Sequence, residues 1–139
     1  MSSEHKYYIG VKQVQAAPRE KDGRPGYEVI YPDGYTSWSP KEVFEDAYVA
    51  MPGLPDRITE EMVDEFITGV EYTRMGNHTV VRVTLKNGFS VVDDSACVEA
   101  ANYDEKLGVE VATRKAKSQV FAYLGFLLAA ARHGVKGHE

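Results

Sequence analysis

Apolar and polar positions alternate with period two in some stretches of this chain and recur at helical spacing in others, and that division predicts its elements. A loose alternation over Tyr7–Ala17 and a clean one over Tyr27–Tyr31 predict strands; Pro32-Asp33-Gly34 then turns the chain into Tyr35–Trp38 as a hairpin. Pro18 to Gly26, rich in Gly, Pro and charge, reads as an exposed loop. Ser39-Pro40 predicts a helix start, with Ser39 as cap and Pro40 at the first helical position, and Val43, Phe44 and Ala47 forming an apolar stripe. Trp38 and the neighbouring tyrosines are expected to pack that helix onto the hairpin rather than to form a stacking platform for bases.

Met51 to Asp56 holds two Pro and one Gly in six residues and marks an internal boundary. The expected organisation is an N-terminal hairpin and helix module over 1–50 and a core module over 51–139, together one compact unit. In the second module Thr59 is expected to cap a short helix with Met62, Val63, Phe66 and Ile67 inward and Glu60, Glu61, Asp64 and Glu65 outward. A three-stranded meander follows. Two-residue turns at Gly76-Asn77 and Asn87-Gly88 set Val70 opposite Val83, Tyr72 opposite Val81 and Val83 opposite Val92. That register also places Glu71, Arg82 and Asp93 side by side as a solvated ladder of alternating charge.

Ala96-Cys97-Val98 is expected to be buried. Asn102, three residues before Glu105, resembles a capping box and predicts a helix from Tyr103 to about Arg132, with Leu107, Val111, Phe121, Leu124 and Leu128 at helical spacing. Such a helix, ~40 Å long at ~1.5 Å per residue, either breaks near Ser118 or Gly125 or packs its apolar half, Val120–Ala131, against another copy. Met1–His5 and Gly134–Glu139 are expected to lack structure. The fold class is therefore α+β: antiparallel sheet in the N-terminal and central parts, short helices, and a long C-terminal helix used for oligomerisation.

The chain has 139 residues, 43% of them hydrophobic, and a net charge of −5, which suits a small domain with an ordinary core and argues against a duplex nucleic acid partner. A single cysteine, Cys97, allows no internal disulfide and reads as a small hydrophobe. No apolar run is long enough to cross a membrane, and the expected location is the cytoplasm. The four histidines, His5, His78, His133 and His138, show no ligand spacing, so no metal and no cofactor are expected. Asp93-Asp94-Ser95 is a compact acidic corner lacking a third ligand at useful spacing. With no nucleophile–base pair or phosphate-cradling loop, the expectation is a binding protein and not an enzyme. The binder's inventory is aromatic faces at Phe89 and Tyr103, a helix N-terminus at Asn102, and cations at Arg57, Arg114 and Lys117.

The string TLKNGFSVVDDSACVEAANYDEKLG (Thr84 to Gly108), followed by Ala116 and Gly125-Phe126-Leu127-Leu128, resembles a family of small tailed-phage and prophage proteins. YPDGYTSWSPKEVFEDAY (Tyr31 to Tyr48) resembles a module often fused ahead of it. That family is similar to the Thoeris anti-defence sponge proteins of the first type. The resemblance implies a protein of the bacterial host cytosol that sequesters cyclic ADP-ribose-type immune signals, and cyclic di- and trinucleotides of other defence systems, at interfaces of a dimer or hexamer without cleaving them. It implies Phe89, Asn102 and Tyr103 as motif positions. This chain departs from the pattern at Ala100, Phe121 and Leu124, where proline, tryptophan and an acid are usual. The alternative from another class is an inhibitor that binds a host defence protein through an acidic face of Glu42, Glu45, Asp46, Glu60, Glu61 and Asp64.

Overall fold

The computed structural model describes residues 4–137, so the expectations for both termini fall partly on residues outside that range. The architecture is α+β: two three-stranded antiparallel sheets, two short helices and a long C-terminal helix. The chain divides into two compact units, one made of Met1–Met51 with Leu127–Glu139, the other of Pro52–Phe126. No helix among the described residues is long and apolar enough to cross a membrane.

In the first unit, β1 (Gln15–Pro18), β2 (Gly26–Ile30) and β3 (Thr36–Pro40) form a sheet in that order, followed by α1 (Lys41–Ala47). Pro18–Gly26 is exposed but is not a free loop. The β1–β2 ladder continues through the Arg19–Gly26 bond to a Lys21–Arg24 bridge around Asp22-Gly23, both with positive φ, as a primed two-residue turn requires. Of the expected first strand, 7–17, only residues 15–17 pair, in a strand that runs on to Pro18, expected in the loop; Tyr7, Tyr8 and Ile9 are almost fully exposed. Strand β3 also outruns its predicted end. Ser39 pairs with Tyr27, and Pro40, not Ser39, occupies the cap position of α1 with no side-chain capping bond.

Alternation puts Tyr27, Val29 and Ser39 on one sheet face and Gly26, Glu28 and Trp38 on the other. The first face receives α1: Tyr27, Phe44 and Tyr48 stack in succession at 4.5 and 4.7 Å, over a Val29 that is 1% exposed. Trp38 does not join them. Its ring lies over Gly26 on the opposite face and its indole N–H donates to the Arg19 carbonyl at 2.8 Å.

The second unit opens with α2 (Glu60–Phe66), whose first turn is capped by Thr59 accepting from the Met62 N–H at 3.2 Å. Strands β4 (Ile67–Met75), β5 (His78–Leu85) and β6 (Ser90–Ala96) then form a meander with β5 central. Gly76-Asn77 makes the expected two-residue turn, and Val70 faces Val83 while Tyr72 faces Val81. The β5–β6 register differs from expectation by one residue: Val83 faces Val91, and Arg82 faces Val92. The loop holds three residues, Lys86-Asn87-Gly88, with Gly88 at φ 87° and bonds from Gly88 N–H to the Leu85 carbonyl and from Leu85 N–H to the Phe89 carbonyl. This is a type I turn closed by a glycine bulge. One residue of slip reverses every side chain of β6. Arg82 therefore keeps Glu71 at 2.6 Å, whereas Asp93 leaves the ladder for the face that carries Val81.

Helix α3 (Glu105–His133) is unbroken, and at ~1.5 Å per residue it spans ~43 Å. The stripe it lays on the sheet is Gly108, Ala112, Ala116, Val120 and Leu124, a strict four-residue repeat in which the last four are at most 2% exposed. Side chains grow along this stripe, so the helix lies closest to the sheet at its start, against Thr79 and Ser95. Of the apolar residues picked out by their helical spacing, Leu124 is 2% exposed, whereas Leu107 and Phe121 are 57% and 50% exposed. Val98 is also exposed, contrary to expectation. Cys97 is half-buried because its backbone N–H and C=O are both tied to Asn77 across the Gly76-Asn77 turn.

Candidate functional site

Asn102 ends a single 3-10 turn (Ala100–Asn102), and the cap of α3 is Asp104, whose carboxylate accepts the Leu107 N–H at 3.1 Å. The cap therefore lies two residues later than the sequence pattern places it, and with Leu107 at the third helical position it is a single cap and not the expected capping box. An aspartate there already satisfies the helix dipole, so these amides do not form an open anion site. What the short turn does is aim Tyr103 back at the sheet. Its hydroxyl accepts from the Thr79 hydroxyl at 2.9 Å, and Thr79 is 1% exposed.

Arg74 lies over the Tyr103 ring, its guanidinium carbon 3.8 Å from the centroid. Two main-chain carbonyls hold it: Nε donates to Gly76 at 2.8 Å and Nη2 to Ala100 at 3.2 Å. A planar cation fixed on a ring keeps the rest of its five N–H donors for an outside acceptor. Beside it the Tyr72 hydroxyl donates to the Glu105 carboxylate, which raises the phenol above its ordinary value mainly through that hydrogen bond. Arg74 was missed in the sequence because it precedes the Gly76-Asn77 turn and reads as an ordinary strand-end charge. The available signal was its position two residues from the turn, within reach of the turn carbonyl.

The other sequence candidates lie elsewhere in the second unit. Phe89 is 55% exposed and meets the Tyr123 ring edge-on at 5.7 Å, beside Leu85 at the opposite end of β5 from Thr79. Six residues of strand separate these ends, about 20 Å. Asn102, exposed, and Tyr103 share the Arg74 end; Phe89 does not. Arg114 pairs with Glu110 one helical turn back at 3.6 Å, Lys117 with Asp64 of α2 at 2.9 Å, and Arg57 with the adjacent Asp56 at 3.2 Å. These are exposed pairs of small energetic weight.

The acidic corner is fully engaged. The Asp93 carboxylate accepts from the Asp94 N–H at 2.8 Å and the Gln119 amide at 2.9 Å, with the Lys115 ammonium 3.3 Å away. Asp94 takes His78 at 2.9 Å. Among the described residues no group of three His, Cys, Asp or Glu side chains is placed to hold a metal ion. Partial burial alone pushes the Asp93 carboxyl up, but the Asp94 N–H, Gln119 and Lys115 outweigh it and hold the carboxyl below its ordinary value. A depressed folded value contributes stability that is complete above the unfolded carboxylate range of about 3.9 and is lost as pH falls through the lower folded value. Asp93→Ala is expected to destabilise the second unit by about 1–3 kcal/mol at neutral pH, and the difference from wild type should shrink in acid. Urea unfolding at a series of pH values measures both; a constant difference would separate Asp93 from the titration.

The shallow grooves of the first unit hold none of these candidates. One, of about 340 Å³, lies at Trp38 between Arg19 and Lys21; the other, of about 490 Å³, lies along Lys12, Tyr31 and Tyr35.

A sequence model of the phage protein (N4 Gp49/phage Sf6 gene 66) family matches residues 58–131, just over half of the chain. Neither the curated proteins nor the solved structures yielded a match.

Proposed function

The chain belongs to this phage protein family, and from that premise we propose that it is a counter-defence sponge, binding cyclic nucleotide immune signals of the cyclic ADP-ribose type, or cyclic di- and trinucleotides, stoichiometrically and without cleavage. The observation that carries the reading is Arg74 held over the Tyr103 ring by two main-chain carbonyls, at the end of the sheet that also carries Asn102. A phosphate accepts from the uncommitted guanidinium N–H groups, the Asn102 amide supplies a donor and acceptor for a base or ribose, and Tyr103 is locked by Thr79 before any ligand arrives. The similarity of the phage family that the Thr84 to Gly108 string resembles to the Thoeris sponges supports the same assignment. One end of one sheet surrounds little of a nucleotide, so the site is completed by a second copy. Phe121 and Phe126, 50% and 77% exposed on α3, supply an apolar surface for that association. Arg57, Arg114, Lys117 and Phe89 then belong to the pocket only through that second copy.

The test is to incubate the purified protein with a panel of cyclic nucleotides, remove excess, release the bound fraction by heat and analyse it. Intact ligand is expected. Altered ligand would mean an enzyme, and no retention of any member would favour direct binding of a host protein through the acidic residues of α1 or α2. Arg74→Ala should weaken retention by about ten- to a hundredfold, the effect of losing a charge-assisted contact. Unfolding midpoints should stay near wild type, because Arg74 is exposed.

A further inference from the structure

The two edges of the second sheet are not equivalent. Because the Leu85 N–H donates to the Phe89 carbonyl, Thr79, Val81 and Val83 bond toward β6 and their neighbours toward β4; the main-chain groups of Val92 and Asp94 therefore point off the β6 edge. These are already used. The Val92 carbonyl accepts from Gln119 at 3.0 Å, the Asp94 carbonyl from Lys115 at 2.7 Å, and the Asp94 N–H donates to the Asp93 carboxylate. By the same alternation Val70, Tyr72 and Arg74 direct their main-chain N–H and C=O groups off the β4 edge. No strand pairs there among the described residues, and β4 is exposed over all but its first residue. A nine-residue open edge is a template for another strand.

The chain also holds a strand-prone arm that pairs with no sheet among the described residues. Tyr7, Tyr8 and Ile9 are 105%, 91% and 94% exposed, in a segment of high strand propensity that leads into β1. We propose that this arm adds as a fourth strand to the β4 edge of a second copy, by β-augmentation, and that two copies exchange arms reciprocally. Charge supports this partner: against the single acid Glu4 the arm brings Lys6 and Lys12, whereas α2, which feeds directly into β4, begins with Glu60 and Glu61, neither in an ion pair among the described residues. Area supports it as well. Three such side chains offer roughly 500 Å² per arm; two arms and the surfaces they cover exceed the ~1,000 Å² that marks a specific interface. This inference is independent of the nucleotide reading.

The test uses Ile9→Pro, which removes an arm amide at a side chain 94% exposed in its own chain. In the wild-type protein the amides of the arm and of Val70, Tyr72 and Arg74 should exchange with solvent about tenfold or more slowly than their free-peptide rates, and Ile9→Pro should abolish that protection. Arm amides exchanging at free-peptide rates in wild type, or protection that survives Ile9→Pro, would overturn the proposal. Mixing isotope-labelled Ile9→Pro protein with unlabelled wild type separates copies: the labelled Val70, Tyr72 and Arg74 amides should regain protection from the wild-type arm. If they do not, the arm binds within its own chain and the exchange is refuted, whatever α3 contributes to association.

Discussion

Gly26→Ala is expected to unfold the first unit. A Cβ at residue 26 would fall well inside contact distance of the Ser39 carbonyl oxygen and of the Trp38 ring. Neither can yield: Ser39 is held in the β2–β3 ladder opposite Tyr27, and Trp38 is anchored by its bond to the Arg19 carbonyl. Overpacking of this kind costs about 3 kcal/mol. A unit whose described core is little more than Val29 and an aromatic stack has few compensating contacts, and total stabilities run to only ~0.05–0.15 kcal/mol per residue. Trp38 is the single tryptophan of the chain, so its fluorescence follows this unit alone. The expected result is emission at solvent-exposed wavelengths without denaturant; a native spectrum with an unchanged midpoint would show that the strands separate without penalty.

Gly108→Val is expected to destabilise the second unit by about 3 kcal/mol. Gly108 opens the stripe that α3 presses onto the sheet, and an added Cβ would run into the Thr79 hydroxyl and lie 3.1 Å from Thr79 Cβ. Thr79 is 1% exposed and stiff at Cβ, so the helix must lift instead. Lifting also strains the 2.7 Å bond from the Ser95 hydroxyl to the Gly108 carbonyl and the Thr79–Tyr103 bond. Under the function proposed above, retention of cyclic nucleotide should therefore fall with stability. Gly69→Ala, where nothing lies within 4 Å, is the matched control and should be neutral within about 0.5 kcal/mol. Combining Gly108→Ala with Thr79→Ala should cost less than the sum of the single changes, because the second removes the atom that the first strikes. Strict additivity in urea unfolding would assign the effect to backbone terms.

Two hairpins show how local chemistry was legible and where the reading of it failed. Pro32-Asp33-Gly34 and Lys86-Asn87-Gly88 are the same turn. In each, an Asx side chain accepts the N–H two residues on, Asp33 from Tyr35 at 3.0 Å and Asn87 from Phe89 at 3.1 Å, and the glycine has positive φ. The first reads correctly because proline marks its start; the second invites a two-residue Asn-Gly reading that moves Asp93 onto the wrong face. The apolar face of β6 was ambiguous because Val91 and Val92 are adjacent, and either register buries one of them. The register is decided by Gln119 and Lys115, which lie 26 and 22 positions beyond Asp93 in the sequence and meet it only once α3 has docked.

The candidate site divides the same way. Asn102 and Tyr103 stand out in the sequence because they precede the helix, but Arg74 joins them only across the sheet.

By itself the sequence determined the α+β class, the Thr59 cap, the Tyr27–Trp38 hairpin, the β4–β5 register and the presence of a long C-terminal helix, because each depends on periodicity or on a turn residue acting over a few positions. Tertiary structure alone decided which stripe of α3 is buried, which face Asp93 occupies, that β6 is closed and β4 open at the edge, and that Arg74 rests on Tyr103. Those outcomes depend on contacts between residues far apart in the chain. Gly108 and Thr79 fit one another, the bare Cα of one against the hydroxyl of the other, only where the helix lies on the sheet.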